Sequence, residues 1–186
     1  MYPNEGTTVL PIGWRLNVKR DEHGNATKFK ARMYIMGNYS RPGEHYDQTF
    51  SPTVRMETFR FMMALAAEHK LYTKHLDATG AYLNCPTNRP LYAKLGDLLL
   101  RLFKQIYGLK DSGRAWYKML DAFVKAIGFT PSEADPCLYI KTTPTAMIMM
   151  ATWVDDICLI SNEQAALDEY DNSRASASTS TARGAG

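Results

Sequence analysis

The stretch ATWVDDICLI, residues 151 to 160, sets two aspartates, Asp155 and Asp156, inside an apolar run that begins at Ala146. Adjacent like charges are costly beside packed hydrophobic side chains unless a cation or hydrogen bonds offset them. The run must therefore break at the pair, as a strand that stops at Asp155 and Asp156 and resumes at Ile157, which puts both carboxylates at the tip of a β-hairpin. Two uses fit such a tip: an exposed turn, or a site for a hard divalent cation that takes oxygen ligands. Asp77, at the end of the strand LYTKHLD, would add a third carboxylate. Three carboxylates can serve two ions about 4 Å apart, the arrangement used for in-line phosphoryl transfer.

The other elements alternate between the two periods. GWRLNVKRDEHGNATKFKARMYIMG predicts a hairpin with strands near 13–19 and 28–36, joined by a polar turn and carrying Lys28, Lys30 and Arg32. Phe59, Met62, Met63 and Ala66 repeat at helical spacing within 56–69. Trp116, Met119, Leu120, Phe123 and Ile127 do so in a helix that Ser112 is placed to cap and Gly128 to stop. CLYIK predicts a short strand and TTPT a turn. Beyond Gln164 the pattern decays, and DNSRASASTSTARGAG offers no core side chain, so residues 165–186 are expected to form a disordered, low-complexity tail.

With 186 residues and 45% apolar side chains, the chain is sized for one domain, or one and a small piece. Cys85, Cys137 and Cys158 are scattered, which suggests neither a disulfide framework nor structural zinc and fits a reducing, intracellular setting. No apolar run reaches membrane-spanning length, and MYPNEGTTVL lacks the basic and apolar regions of a signal peptide. The net charge of +3 conceals a basic excess over residues 1–120 and an acidic one over 121–186. That asymmetry fits either an ordinary solvated surface or a polyanion-binding face beside an acidic metal site.

Four blocks, YDQTFSPT, IYGLK with RAWY downstream, GFTPSEADPCLY and VDD, occur in the order found in one family. From about Trp14 to Asn162 the chain resembles the reverse transcriptase domain of copia-type retrotransposon polyproteins. The resemblance implies an α+β fold: the fingers and palm of a right-hand polymerase, with an antiparallel palm sheet backed by helices. The division expected is an N-terminal extension over 1–13, truncated fingers and palm over 14–164, and the tail. Asp77, Asp155 and Asp156 are implied as catalytic carboxylates holding two Mg²⁺ or Mn²⁺ ions. Lys30 and Arg32 are implied as triphosphate contacts, and Tyr82 as the aromatic residue under the incoming sugar. Gly108 and Lys110 would border the nucleotide pocket. The implied partners are an RNA template, a primer and deoxynucleoside triphosphates, with no membrane and a cytoplasmic setting; the oligomeric state stays open.

Three departures qualify the resemblance. Trp153 stands where most relatives have Tyr, and LYAKLGDLLLRLFKQ is shorter than the corresponding segment. The likeness also ends before any thumb, primer grip or ribonuclease H region. Two functions are therefore carried forward: an RNA-directed DNA polymerase, and a non-catalytic remnant with at most weak nucleic-acid binding.

Overall fold

The computed structural model describes residues 7–170, and the expected tail beyond residue 170 lies outside them. The fold is α+β, with two sheets, and it divides into two compact units. The first takes the chain as far as Ser51 and again over Gly80–Trp116; the second takes Pro52–Thr79 and the chain from Tyr117 onward.

In the first unit, β1 (Leu10–Arg20) and β2 (Ala26–Ile35) form a long antiparallel hairpin. Asp21 closes its turn, Oδ1 accepting from the backbone N–H groups of His23 at 3.0 Å and Asn25 at 2.8 Å. The Asn25 side-chain amide, which donates to Oδ2 at 3.1 Å, and these backbone bonds hold the Asp21 carboxyl below its ordinary pKa. β4 (Pro86–Leu95) and β5 (Leu98–Lys104) make a second hairpin, closed by Gly96 and Asp97, so the shortened segment is sealed by a tight turn. The sheet order is β2-β1-β4-β5, with β1 and β4 parallel at Leu10 and Pro11.

Facing partners in a hairpin share a side of the sheet. Arg15, Asn17 and Lys19 oppose Arg32, Lys30 and Lys28 on one face, while Trp14, Leu16 and Val18 oppose Met33, Ala31 and Phe29 on the other. The apolar face runs into a core of Leu10, Ile35, Leu91, Ala93, Ile106 and Leu109, but its far end stays in solvent, with Leu16 76% and Phe29 78% exposed. The first strand begins at Leu10, so residues 10–13, expected as part of an extension, belong to the sheet; fully buried Leu10 anchors them.

The second unit is a five-stranded antiparallel sheet in the order β3-β9-β8-β7-β6, from β3 (Tyr72–Asp77), β6 (Thr130–Pro131), β7 (Leu138–Thr142), β8 (Met147–Trp153) and β9 (Asp156–Ser161). Helix α1 (Met56–Glu68) covers one face, where Met62 and Ala66 pack with Leu138, Met149, Ala151 and Ile160. Each such large apolar side chain, fully buried, contributes about 1.5–3 kcal/mol. Arg55, the N-cap of α1, makes no cap with its own side chain; its N–H donates instead to Asp135 Oδ2 at 2.8 Å. The helix ends with Lys70 at φ +52° and Leu71 N–H donating to Ala66 O at 2.9 Å.

On the other face, Tyr139 donates to Asp121 of helix α2 (Ser112–Ala126), and Lys74 pairs at 3.0 Å with Asp168 of helical residues 164–170. Leu167 and Tyr170 of that helix are buried, and Tyr170 meets Phe123 and Phe129 edge-on. Ordered structure thus extends past Gln164, against the expected tail boundary: Leu167 and Tyr170, three apart, give this segment an apolar stripe. A second expectation changes too. Ser112 does not cap α2; it is buried and its hydroxyl faces Gln105 Oε1 and Ile106 O, at 2.9 and 2.8 Å. Gly128 does end the helix, at φ +92°.

Candidate functional site

In the second unit the two aspartates fall at the β8–β9 turn. Val154 and Asp155 form its tip and Asp156 opens β9 opposite Trp153. Val154 has φ +56°, a left-handed value costly for a β-branched residue. The turn is tied to β3 by Ala78 N–H, which donates to Asp155 O at 2.8 Å. Asp77 ends β3 directly opposite Asp156, so the two carboxylates share a face at one end of the sheet, both exposed. Like charges placed opposite across two strands repel, and a bound cation would relieve that.

The donor set is all carboxylate oxygen, which suits Mg²⁺ or Mn²⁺ rather than a thiophilic ion. Asp77 and Asp156 are brought together by register, and Asp155 is their neighbour on the turn. Among the described residues no group of three or more His, Cys, Asp and Glu side chains converges into a ready metal site. The set fits a hard divalent ion in its chemistry, with two of the three aspartates paired across β3 and β9.

One neighbour was missed in the sequence. His75, two residues before Asp77 and on the same face, brings Nε2 to 3.2 Å from Asp156 Oδ1. Strand alternation alone could have placed it there. Beside them a cavity of about 450 Å³ is lined by Phe59, Met63, Ala151, Trp153, Cys158 and the flank of His75. Burial pushes the Cys158 thiol above its ordinary pKa, which makes it a weak nucleophile at neutral pH.

The remaining residues of interest lie in the first unit. Tyr82 sits in a 3₁₀ turn, Ala81–Asn84, and meets Tyr107 edge-on with ring centroids 5.0 Å apart. The Arg32 guanidinium lies over the same Tyr107 ring, 5.2 Å from its centroid. Arg32 and Tyr82 are therefore joined through Tyr107, a residue of the IYGLK block whose side chain the sequence reading left unassigned. Lys30 shares the face of Arg32, and Lys110 is exposed. Gly108 has a backbone reason for being glycine: at φ +92° a Cβ would fall 1.9 Å from Ile35 O, and Ile35 N–H donates to Tyr107 O at 2.8 Å.

A profile of the family described as reverse transcriptase (RNA-dependent DNA polymerase) matches residues 2–179, nearly the whole chain. The chain belongs to this family. Among curated proteins it is similar to the retrovirus-related Pol polyprotein from transposon RE2 of Arabidopsis thaliana, 29% identical over 87% of this chain and 12% of the relative. It is also similar to the retrovirus-related Pol polyprotein from transposon TNT 1-94 of Nicotiana tabacum, 28% identical over 86% of this chain and 13% of the relative. The transposon Ty1-DR5 Gag-Pol polyprotein of Saccharomyces cerevisiae is 28% identical over 72% of this chain and 8% of its own length. The chain thus spans about an eighth of the plant polyproteins it matches. The match to residue 179 runs past Asn162, where the resemblance was expected to end. Among the described residues no helix is long and apolar enough to cross a membrane.

Proposed function

We propose that this chain is the fingers-and-palm part of an RNA-directed DNA polymerase from a copia-type retrotransposon, extending a primer on an RNA template with deoxynucleoside triphosphates. The observation that carries the reading is the register of Asp77 against Asp156 at the end of an antiparallel sheet, with Asp155 on the adjoining turn, in a chain of the reverse transcriptase family. The first unit is read as fingers and the second as palm. Asp77, Asp155 and Asp156 would hold the divalent ions, which when bound supply activation of the primer hydroxyl and neutralisation of the leaving pyrophosphate.

The chain's own residues position the reactants. The turn at Val154 and the bond from Ala78 N–H to the Asp155 backbone carbonyl fix the backbone that carries Asp155 against the end of β3. Lys30 and Arg32 are assigned as donors to triphosphate oxygens, Arg32 offering the planar, fixed fork that suits them. Tyr82 is assigned to the sugar of the incoming nucleotide, braced by Tyr107. Lys110 and the backbone at Gly108 are assigned to the border of that pocket. The second reading, a non-catalytic remnant with weak nucleic-acid binding, is favoured by one observation, that no three donors converge among the described residues.

Primer extension on a primed RNA with Mg²⁺ or Mn²⁺ separates the two. The polymerase reading expects incorporation by the wild-type chain and none by Asp155→Asn or Asp156→Asn. Because misplacement of about 1 Å can cost on the order of a hundredfold in rate, incorporation limited to one or a few nucleotides is the expected yield of a fingers-and-palm fragment. Equal, background signals from all three chains would favour the remnant.

A further inference from the structure

We infer that Tyr107 is a positioning residue that holds Arg32 and Tyr82 in one fixed arrangement, so that the contact to the triphosphate and the check on the sugar act on the same nucleotide. The inference rests on the polymerase reading above, which assigns Arg32 and Tyr82 those two roles.

The backbone fixes the seat of the ring. Tyr107 O accepts from Ile35 N–H at 2.8 Å, and Gly108 lies so close to β2 that a Cβ there would fall 1.9 Å from Ile35 O. Tyr107 is therefore held against the end of the strand that carries Arg32. Its ring then makes two contacts. The Arg32 guanidinium lies over it, 5.2 Å from the centroid and within cation–π range. Tyr82 meets it at 5.0 Å with the ring planes inclined by 65°, an edge-to-face pair. The turn bearing Tyr82 is itself tied, since Leu83 N–H donates to Gly80 O at 2.8 Å and Cys85 N–H to Tyr82 O at 3.0 Å. An exposed arginine with no such partner samples many rotamers, and ordering it as a nucleotide arrives costs conformational entropy. Stacking on a ring removes part of that cost beforehand and leaves the donors in the guanidinium plane open to phosphate oxygens. The sugar check needs a Tyr82 ring that does not yield, because a ring free to swing aside admits a 2′-hydroxyl.

Core filling alone does not explain Tyr107. Ile106 and Leu109, on either side of it in the chain, belong to the core of this unit, whereas Tyr107 is only half-buried and one of its two partners, Arg32, is exposed. Phenylalanine is the informative conservative change, since it keeps the ring that both contacts use and removes only the hydroxyl; leucine keeps apolar bulk and removes the ring.

The test is equilibrium binding to the full 186-residue chain on a dideoxy-terminated primer annealed to RNA, with adenine as the templating base, Mg²⁺ present and urea unfolding run on every variant. Three probes are used: inorganic tripolyphosphate, which reports the triphosphate contact alone, and dUTP and UTP, which differ only in the 2′-hydroxyl. Tyr107→Leu is expected to weaken tripolyphosphate binding about two- to fivefold and to reduce the preference for dUTP over UTP about two- to tenfold, while Tyr107→Phe keeps both. With Arg32→Ala in place, Tyr107→Leu should not weaken tripolyphosphate further; with Tyr82→Ala in place, it should not lower the preference further. An unchanged preference or tripolyphosphate affinity in Tyr107→Leu, a loss that persists in those backgrounds, or a loss in Tyr107→Phe as large as in Tyr107→Leu would each overturn the inference while leaving Arg32 and Tyr82 in their roles. So would a lower urea midpoint in Tyr107→Leu with dUTP and UTP weakened alike, which marks a residue that serves folding only. No dUTP binding by the wild-type chain, or binding and preference indifferent to both Arg32→Ala and Tyr82→Ala, would instead remove those two assignments from the polymerase reading, and the inference would fall with them.

Discussion

Asp135 offers the sharpest stability test, because a single buried carboxylate fastens the start of α1 to the strand that follows it. The residue is 1% exposed; Oδ2 accepts from Arg55 N–H at 2.8 Å and Oδ1 from Cys137 N–H at 3.0 Å. Burial raises its pKa, but these two bonds and the Thr58 hydroxyl outweigh it and hold the carboxyl below its ordinary 3.8. Asp135→Asn keeps the shape and one acceptor, and turns an N–H donor toward a backbone N–H. Hydrogen bonds to charged groups contribute about 1.5–3 kcal/mol each, so losing one and opposing two donors should cost about 2–4 kcal/mol. With a urea m-value of about 1–3 kcal/mol/M, the midpoint should fall by roughly 1–2 M, read by circular dichroism. The pH dependence follows from the sign of the shift. A lowered carboxyl pKa stabilises the fold fully above the unfolded-state value and loses that contribution as pH falls through the folded value. The gap between wild type and Asp135→Asn should therefore be constant from pH 5 to 7 and narrow below 3.8. A cost under about 1 kcal/mol at pH 7, or a gap undiminished at about pH 3, would refute the reasoning.

Val154→Gly should change stability little, since relief of about 1–2 kcal/mol of left-handed strain offsets the added backbone entropy and lost contact; a loss of more than about 2 kcal/mol of unfolding free energy in urea would show that the turn is not strained. Gly108→Ala places a methyl 1.9 Å from Ile35 O at φ +92°, so it should unfold the first unit, seen as loss of protection of the β1 and β2 amides in hydrogen exchange. Retained protection would contradict that packing. Asp111 is buried and its carboxyl pKa is raised chiefly by that burial, so Asp111→Asn should raise the unfolding midpoint at pH 7 and leave it unchanged near pH 3, where both side chains are neutral. A lower midpoint at pH 7 would mean that the charge is needed.

What was legible in the sequence was local periodicity. The β1–β2 hairpin, helices α1 and α2 and the Asp155–Asp156 turn were expected within a few residues of where they lie, because alternation and helical spacing are written into consecutive side chains. The interleaving of two units was not, since pairings such as β1 with β4 and β3 with β9 depend on residues far apart in the chain. Ser112 has the composition of a cap, yet its hydroxyl is drawn to buried Gln105, a partner that no local pattern reveals. Asp135 was read only as part of a family block; an aspartate just before Pro136 and the apolar strand CLYI was the available hint of its buried role. At the candidate site the three carboxylates were expected from strand ends, whereas the contact between His75 and Asp156 needs the register of two strands. Gly108 was expected to face substrate, and its close neighbour within the first unit is the Ile35 backbone.

The central claim, that Asp77, Asp155 and Asp156 form one divalent-ion site, is tested most directly by where Mn²⁺ sits in the wild-type chain. Paramagnetic broadening of backbone amide resonances, in a ¹⁵N-labelled sample titrated with substoichiometric Mn²⁺, maps the ion without requiring any turnover. The account predicts that broadening begins at residues 76–78 and 154–157 together, and disappears from both segments in Asp155→Asn and Asp156→Asn. Broadening centred on another acidic cluster, or persisting unchanged in those variants, would contradict it.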